Sequence, residues 1–213
     1  LPGAIGILLT VIASYVGLVV IPDWQVRPLY DPVVVDGNRL FPPALTDQEE
    51  RGKEVYISLG CIYCHSQQVR QDDFGGDISR GWGRRASIPF DYAREGVPLL
   101  GTMRTGPDLR NIGVRQPSEE WHYLHLYNPR ITSPGSIMPP FRFLFEAVPK
   151  DEVTQPPRGW IDLPDEHALE GHYVKTTRDA EDLVAYLLSL QYDLPVPPSA
   201  SRTRAEGPVE GEP

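Results

Sequence analysis

The chain has 213 residues, with 20 Lys and Arg against 29 Asp and Glu and a formal net charge of -9. That acidic balance argues against a nucleic-acid partner, because phosphate binding needs clustered Lys and Arg. Pro (23) and Gly (19) together approach one residue in five, which speaks against a regular bundle or a long sheet and for a loop-rich body. The two cysteines, Cys61 and Cys64, share one short motif, so a disulfide framework is excluded.

The first charged residue is Asp23, and Gly3 to Ile21 (GAIGILLTVIASYVGLVVI) is almost wholly apolar. As a helix this run extends about 28 Å, close to the ~30 Å hydrocarbon core of a bilayer. A secretory signal peptide is the rival reading. Its apolar region is usually shorter, and no small-residue cleavage site follows Ile21. Residues 1–22 therefore read as a transmembrane anchor, with Trp24 and Tyr30 at headgroup level. Residues 23–45 carry Pro28, Pro32, Pro42 and Pro43 and read as an extended connector.

From Thr46 the pattern becomes helical. Thr46-Asp-Gln-Glu49 spells a capping box, and the stretch after it runs to about Gly60. Residues 66–103 are rich in Gly and Arg without periodicity and read as a long ordered loop. A second helix is predicted from Ser118, as N-cap, to about Tyr127, with Pro129 beyond it. Residues 146–176 read as a Pro-rich excursion. A third helix is predicted over about 178–190, with Leu183, Leu187 and Leu190 forming its buried stripe. Residues 46–193 make one domain. The acidic, Pro-rich tail 194–213 has little to bury and is expected to be disordered. Residues 131–213 carry a net charge of -7, which suits either solubility alone or the steering of a basic partner protein.

Cys61-Ile-Tyr-Cys64-His65 is the attachment signature of c-type haem. Thiols three residues apart on one helical face can reach the two vinyl groups of one porphyrin, and His65 follows as an axial imidazole. A zinc knuckle would need two more ligands, for which only His122 and His125 offer themselves. A thioredoxin-like dithiol would need a βαβ context that is absent. An electron-carrying haem wants a sixth ligand, and Met/His ligation raises the potential relative to two histidines. Met138, in the Pro-stiffened Ser136-Ile-Met-Pro-Pro140 loop, is the first choice. Met103 and a histidine are the alternatives.

His122 and His125, at i and i+3, are expected to be structural, and His167 and His172 to lie at the surface. Arg70, Arg104 and Arg130 are candidates to pair with haem propionates. No Ser/His/Asp set, phosphate loop or carboxylate pair nominates a catalytic site, so the chain reads as an electron carrier or relay.

Four strings in order, GCIYCHSQQVR (60–70), RTGPDL (104–109), WHYLHLYNPR (121–130) and PGSIMPPF (134–141), resemble the membrane-anchored mono-haem cytochrome c subunit of cbb-type haem–copper oxidases, subunit II or the "O" subunit. The resemblance spans roughly residues 46–145. It implies a mainly α fold: one N-terminal transmembrane helix, then a haem domain of class I cytochrome c type with long loops. It also implies His65 and Met138 as axial ligands, Cys61 and Cys64 as thioether anchors, and the Pro107 carbonyl as acceptor for the second nitrogen of His65. By the same resemblance one covalent haem c sits on the periplasmic side of a bacterial inner membrane. It passes electrons, beside other cytochrome subunits, to a haem–copper catalytic subunit that reduces oxygen. A cytochrome subunit of a nitric oxide reductase and a free-standing tethered shuttle are the competing readings.

Overall fold

The computed structural model describes residues 2–27, 31–35 and 39–194. Tyr30 and the tail from residue 195 lie outside the described residues. The chain divides into two compact units, residues 1–43 with 88–96 and 194–213, and residues 44–87 with 97–193.

In the first unit, a helix over Pro2–Gln25 is long and apolar enough to cross a membrane, with a mean hydropathy of 2.6 and no burial against the rest of the protein. It comprises α1 (Pro2–Tyr15), a π turn (Val16–Val20) and α2 (Ile21–Val26). Its polar end is marked by the Asp23–Arg27 pair at 2.8 Å, one turn apart and exposed. Trp24 is 75% exposed beside that pair. A short antiparallel ribbon follows, β1 (Val33–Val35) on β2 (Arg39–Phe41), with Val33 opposite Phe41. Phe41 is buried against Phe90, ring centroids 5.9 Å apart, in the 3-10 turn Pro89–Tyr92.

The second unit holds the remaining helices. Helix α3 (Asp47–Ser58) starts at the capping box read from the sequence: Thr46 N donates to Glu49 Oε2 at 2.6 Å, and Glu49 N donates to Thr46 Oγ1 at 3.3 Å. After α4 (Asp72–Gly75) and α5 (Ile112–Arg115) come α6 (Glu119–Tyr127), capped by Ser118, and α7 (Pro129–Thr132), capped by Asn128. The last helix is α8 (Arg178–Ser189), whose N-cap Thr177 accepts from Ala180 N. Leu183, Leu187 and Leu190 are 1%, 7% and 1% exposed, so the anticipated stripe is the core face.

Helices α3 and α8 cross closely. A Cβ added to Gly52 would lie 1.9 Å from the Asp182 carbonyl oxygen, so only glycine permits the approach. One turn on, Tyr56 and Tyr186 meet edge to face at 5.6 Å, both 1% exposed. Arg51 brackets the seam with two bonds to the Asp182 carboxylate, 2.7 and 3.1 Å.

Two stretches are more regular than the sequence suggests. The loop 66–103 contains α4 and the 3-10 turn at Pro89–Tyr92. The excursion 146–176 contains most of an antiparallel sheet in the order β3-β5-β4, built from Phe145–Pro149, His172–Thr176 and Trp160–Ile161. Strands of two to five residues are too short to display a period, and their pairing is settled between residues more than ten positions apart in the chain. Mainly helical architecture with one membrane-length helix remains the description of the whole.

Candidate functional site

Helix α3 ends one turn before the cysteines. Gly60 takes φ +71, and a Cβ there would press on the Tyr63 ring at 2.9 Å. The chain then enters a 3-10 turn over Cys61–Tyr63, with Cys64 N and His65 N both bonded to the Cys61 carbonyl, at 3.1 and 3.0 Å. The motif thus lies just beyond the helix that the sequence places from Thr46 to about Gly60. At three residues per turn, positions 61 and 64 eclipse. Both thiols are free. Cys64 is exposed, while burial pushes the half-buried Cys61 thiol up to about 11.

His65 Nδ1 lies 2.7 Å from the carbonyl oxygen of Pro107. A carbonyl only accepts, so Nδ1 carries the proton and Nε2 keeps its lone pair for a metal. Burial lowers the proton affinity of His65. The Pro107 carbonyl and the Asp108 charge oppose that shift, and the Arg115 charge adds to it. Gly106 permits the fit, since a Cβ there would stand 2.2 Å from His65 Cε1.

Segments 64–68 and 106–110 run side by side through three backbone-anchored bonds: Gly106 N to Cys64 O at 2.9 Å, the His65–Pro107 bond, and Leu109 N to Ser66 O at 2.8 Å. Asp108, fully buried, accepts from Ser66 Oγ (2.7 Å), Gln68 N (2.7 Å) and Arg110 N (2.9 Å). Arg104 is tied into the same region. Its guanidinium pairs with the fully buried Asp77, donates to Gln68 O at 2.6 Å and lies over Trp82, 5.4 Å from the ring centroid. Arg115 donates to the Asp108 carbonyl oxygen. Arg104 Nε and Arg115 Nε are buried with no hydrogen-bond partner among the described residues.

The Met138 loop is fixed at several points. Met138 N donates to Ser136 Oγ at 3.2 Å, Arg130 Nη1 donates to Met138 O at 3.1 Å, and Phe141 N donates to Leu126 O of α6 at 2.8 Å. Met138 is half-buried, whereas Met103 is 56% exposed. Arg130, a propionate candidate by sequence, is thus engaged at the Met138 backbone. Arg70 lies over the Phe74 ring at 5.4 Å.

His122 and His125 have local partners, as structural histidines do. His122 Nε2 donates to Gln116 O at 2.9 Å. His125 Nδ1 lies 2.6 Å from Thr132 Oγ1, and its ring stacks on Trp121 at 4.6 Å and 10°. Among the described residues no group of three or more His, Cys, Asp or Glu is placed to hold a metal ion, which leaves a zinc knuckle without its donor set. His172 is exposed and His167 half-buried. A cleft of about 620 Å3 between α6, β4 and α8, lined by Glu119, Tyr123, Trp160 and Glu181, contains none of the residues the sequence nominated.

Sequence reasoning missed Asp77, Asp108 and Arg115. The first two are charged residues that a sequence assigns to the surface by default. Arg115 follows the GPDL string at a distance that no local rule connects to His65.

Two adjacent thiols and an imidazole with its second nitrogen free fit a c-type haem, and the two orphaned guanidinium nitrogens of Arg104 and Arg115 suit its carboxylates. Fold and site together define the class: a membrane-anchored, mainly helical protein with a c-type haem-attachment motif. The family model for the cytochrome c oxidase mono-haem subunit, FixO, matches residues 3–158, and the chain belongs to that family. Its members are non-catalytic electron-transfer subunits of haem–copper oxidase complexes, anchored in the membrane with the soluble domain outside the cytoplasm. No curated protein matches the chain closely enough to count as a relative.

Proposed function

We propose that this chain is the mono-haem subunit of a cbb-type cytochrome c oxidase. In this reading Cys61 and Cys64 would hold one haem c through their sulfurs, and His65 Nε2 and Met138 Sδ would be the protein donors to its iron. The observation that carries the proposal is the His65 Nδ1–Pro107 O bond of 2.7 Å, which fixes both the tautomer and the plane of the imidazole before any metal is bound. When bound, the haem supplies one-electron exchange between ferric and ferrous iron. Everything else is the work of the chain. Pro107 holds the proton on Nδ1. Pro139 and Pro140 stiffen the thioether loop so that little entropy remains to be lost on ligation. Arg104 Nε and Arg115 Nε offer buried donors to the propionates. Ligands held this rigidly move little between oxidation states, as a fast relay requires.

On this reading the soluble domain lies on the periplasmic side of a bacterial inner membrane. It delivers electrons to the haem–copper catalytic subunit, beside other cytochrome subunits. The acidic stretch 131–213 favours a basic cytochrome c as donor. The experiment is metal and haem analysis of the complex that co-purifies with the chain in mild detergent. Copper together with haem b is the expected result. Haem b with non-haem iron and no copper would assign the chain to a nitric oxide reductase, and haem c alone would make it a tethered shuttle.

A further inference from the structure

Two carboxylates are buried beside the haem-attachment segment, and they are neutralised differently. Asp77 is in direct ion-pair contact with Arg104 and accepts Arg70 N at 2.6 Å. Asp108 is 0% exposed, yet its hydrogen bonds come from neutral donors, Ser66 Oγ, Gln68 N and Arg110 N. Its ion-pair partner, Arg104 Nη2, stands off at 3.8 Å. A clasp between two loops needs no full charge, and burying one is costly unless it is closely paired and hydrogen-bonded. The residue before Asp108 in the chain is Pro107, whose carbonyl receives the proton of His65.

We propose that Asp108 is a positioning residue that also sets the reduction potential of the site. Its hydrogen bonds hold the Pro107 carbonyl on His65 Nδ1, and its buried charge makes the imidazole a more electron-rich ligand. The inference rests on the assignment of His65 as an axial ligand. A negative charge in a low-dielectric surrounding favours the ferric over the ferrous state. The direct Arg104–Asp77 pair leaves Asp108 as the one of these two carboxylates whose field is less offset by contact with Arg104. Arg115, hydrogen-bonded to the Asp108 backbone carbonyl, opposes it from the same place in the fold.

A clasp and a charge are separated by two substitutions of opposite sign. Asp108→Asn keeps the shape and one acceptor oxygen but removes the charge. Ser66→Ala keeps the charge and removes the hydroxyl that screens it at 2.7 Å. The measurement is a spectroscopic redox titration of the haem c in the full complex, together with the thioether-to-iron band and haem retention on a denaturing gel. Asp108→Asn is expected to raise the ferrous-to-ferric ratio at fixed ambient potential by up to about tenfold, equivalent to about 59 mV for one electron, with the thioether band retained. Ser66→Ala is expected to lower that ratio. Shifts in the same direction, or no shift in either variant, overturn the proposal. If Asp108→Asn does not accumulate, Ser66→Ala decides alone: a lower ratio supports the proposal, and an unchanged or higher one refutes it. A wild-type protein without covalent haem or without the thioether band would refute the ligand assignment instead.

Discussion

Arg130 Nη1 donates to the carbonyl oxygen of Met138 at 3.1 Å, so the loop that carries the half-buried thioether is tied back to α7. Met103, the other thioether, is largely exposed. Met138→Ala should therefore abolish the thioether-to-iron charge-transfer band and lower the haem potential, while Met103→Ala leaves both intact. Absorption near the band and a redox titration of each variant check this. The reverse pattern would transfer the ligand role to Met103.

Arg115 provides a second test from a residue that sequence reasoning passed over. Its charge lowers the proton affinity of His65, and its Nε is buried without a partner among the described residues. Arg115→Gln should leave haem covalently attached and lower the reduction potential, because a nearby positive charge favours the ferrous state. Arg115→Lys should restore part of the shift, as a point charge replaces a planar fork. An unchanged potential in Arg115→Gln would mean that this guanidinium serves packing alone.

Local chemistry was legible in the sequence; distant partnerships were not. The capping box at Thr46 and Glu49, the Ser118 cap and the Leu183/Leu187/Leu190 stripe are each decided within one or two helical turns, and the structure has all three. The Cys61–His65 motif is equally local. By contrast, the burial of Asp108 depends on Ser66 and Gln68, about forty residues away in the chain. The sheet depends on pairing Phe145 with Thr176. No window of sequence contains both members of those pairs, so a charged residue read as surface and a Pro-rich stretch read as irregular.

Gly52 tests the helix crossing. A methyl group there would stand 1.9 Å from the Asp182 carbonyl oxygen and 2.7 Å from Tyr186 Cβ, so α3 and α8 must separate to admit it. Gly52→Ala should cost about 3 kcal/mol of stability, measured by denaturant unfolding of the haem-loaded protein. Gly17→Ala, with nothing within 4 Å of its added Cβ, serves as the neutral control. A Gly52→Ala protein as stable as the wild type would contradict the close crossing.

The two histidines of α6 make stability pH-dependent. Burial lowers both pKa values, and His125 is brought to about 4, with the charges of His122 and His65 as smaller causes. A histidine whose folded pKa lies below its unfolded value of about 6.5 contributes its full stability above pH 6.5. It loses that stability as pH falls toward 4, because the unfolded chain takes up the proton first. Since His125 is only half-buried, solvent screening reduces the loss to about 2 kcal/mol. Denaturant midpoints at pH 7 and pH 4.5 measure it. His125→Gln should flatten the slope, and an equal slope in that variant would assign the acid sensitivity to other groups.

The seam between α3 and α8 joins positions 131 apart in the chain at Arg51 and Asp182, and Tyr186 Oη reaches Gln67, just past the cysteine motif, across 119 residues at 3.0 Å. Contacts of such long range form late, because the intervening chain must be ordered before they can close. Residues 61–65 thus precede in the chain, by more than a hundred positions, the helix whose Tyr186 fixes Gln67, so the segment just past the cysteine motif takes its final place only when α8 docks on α3.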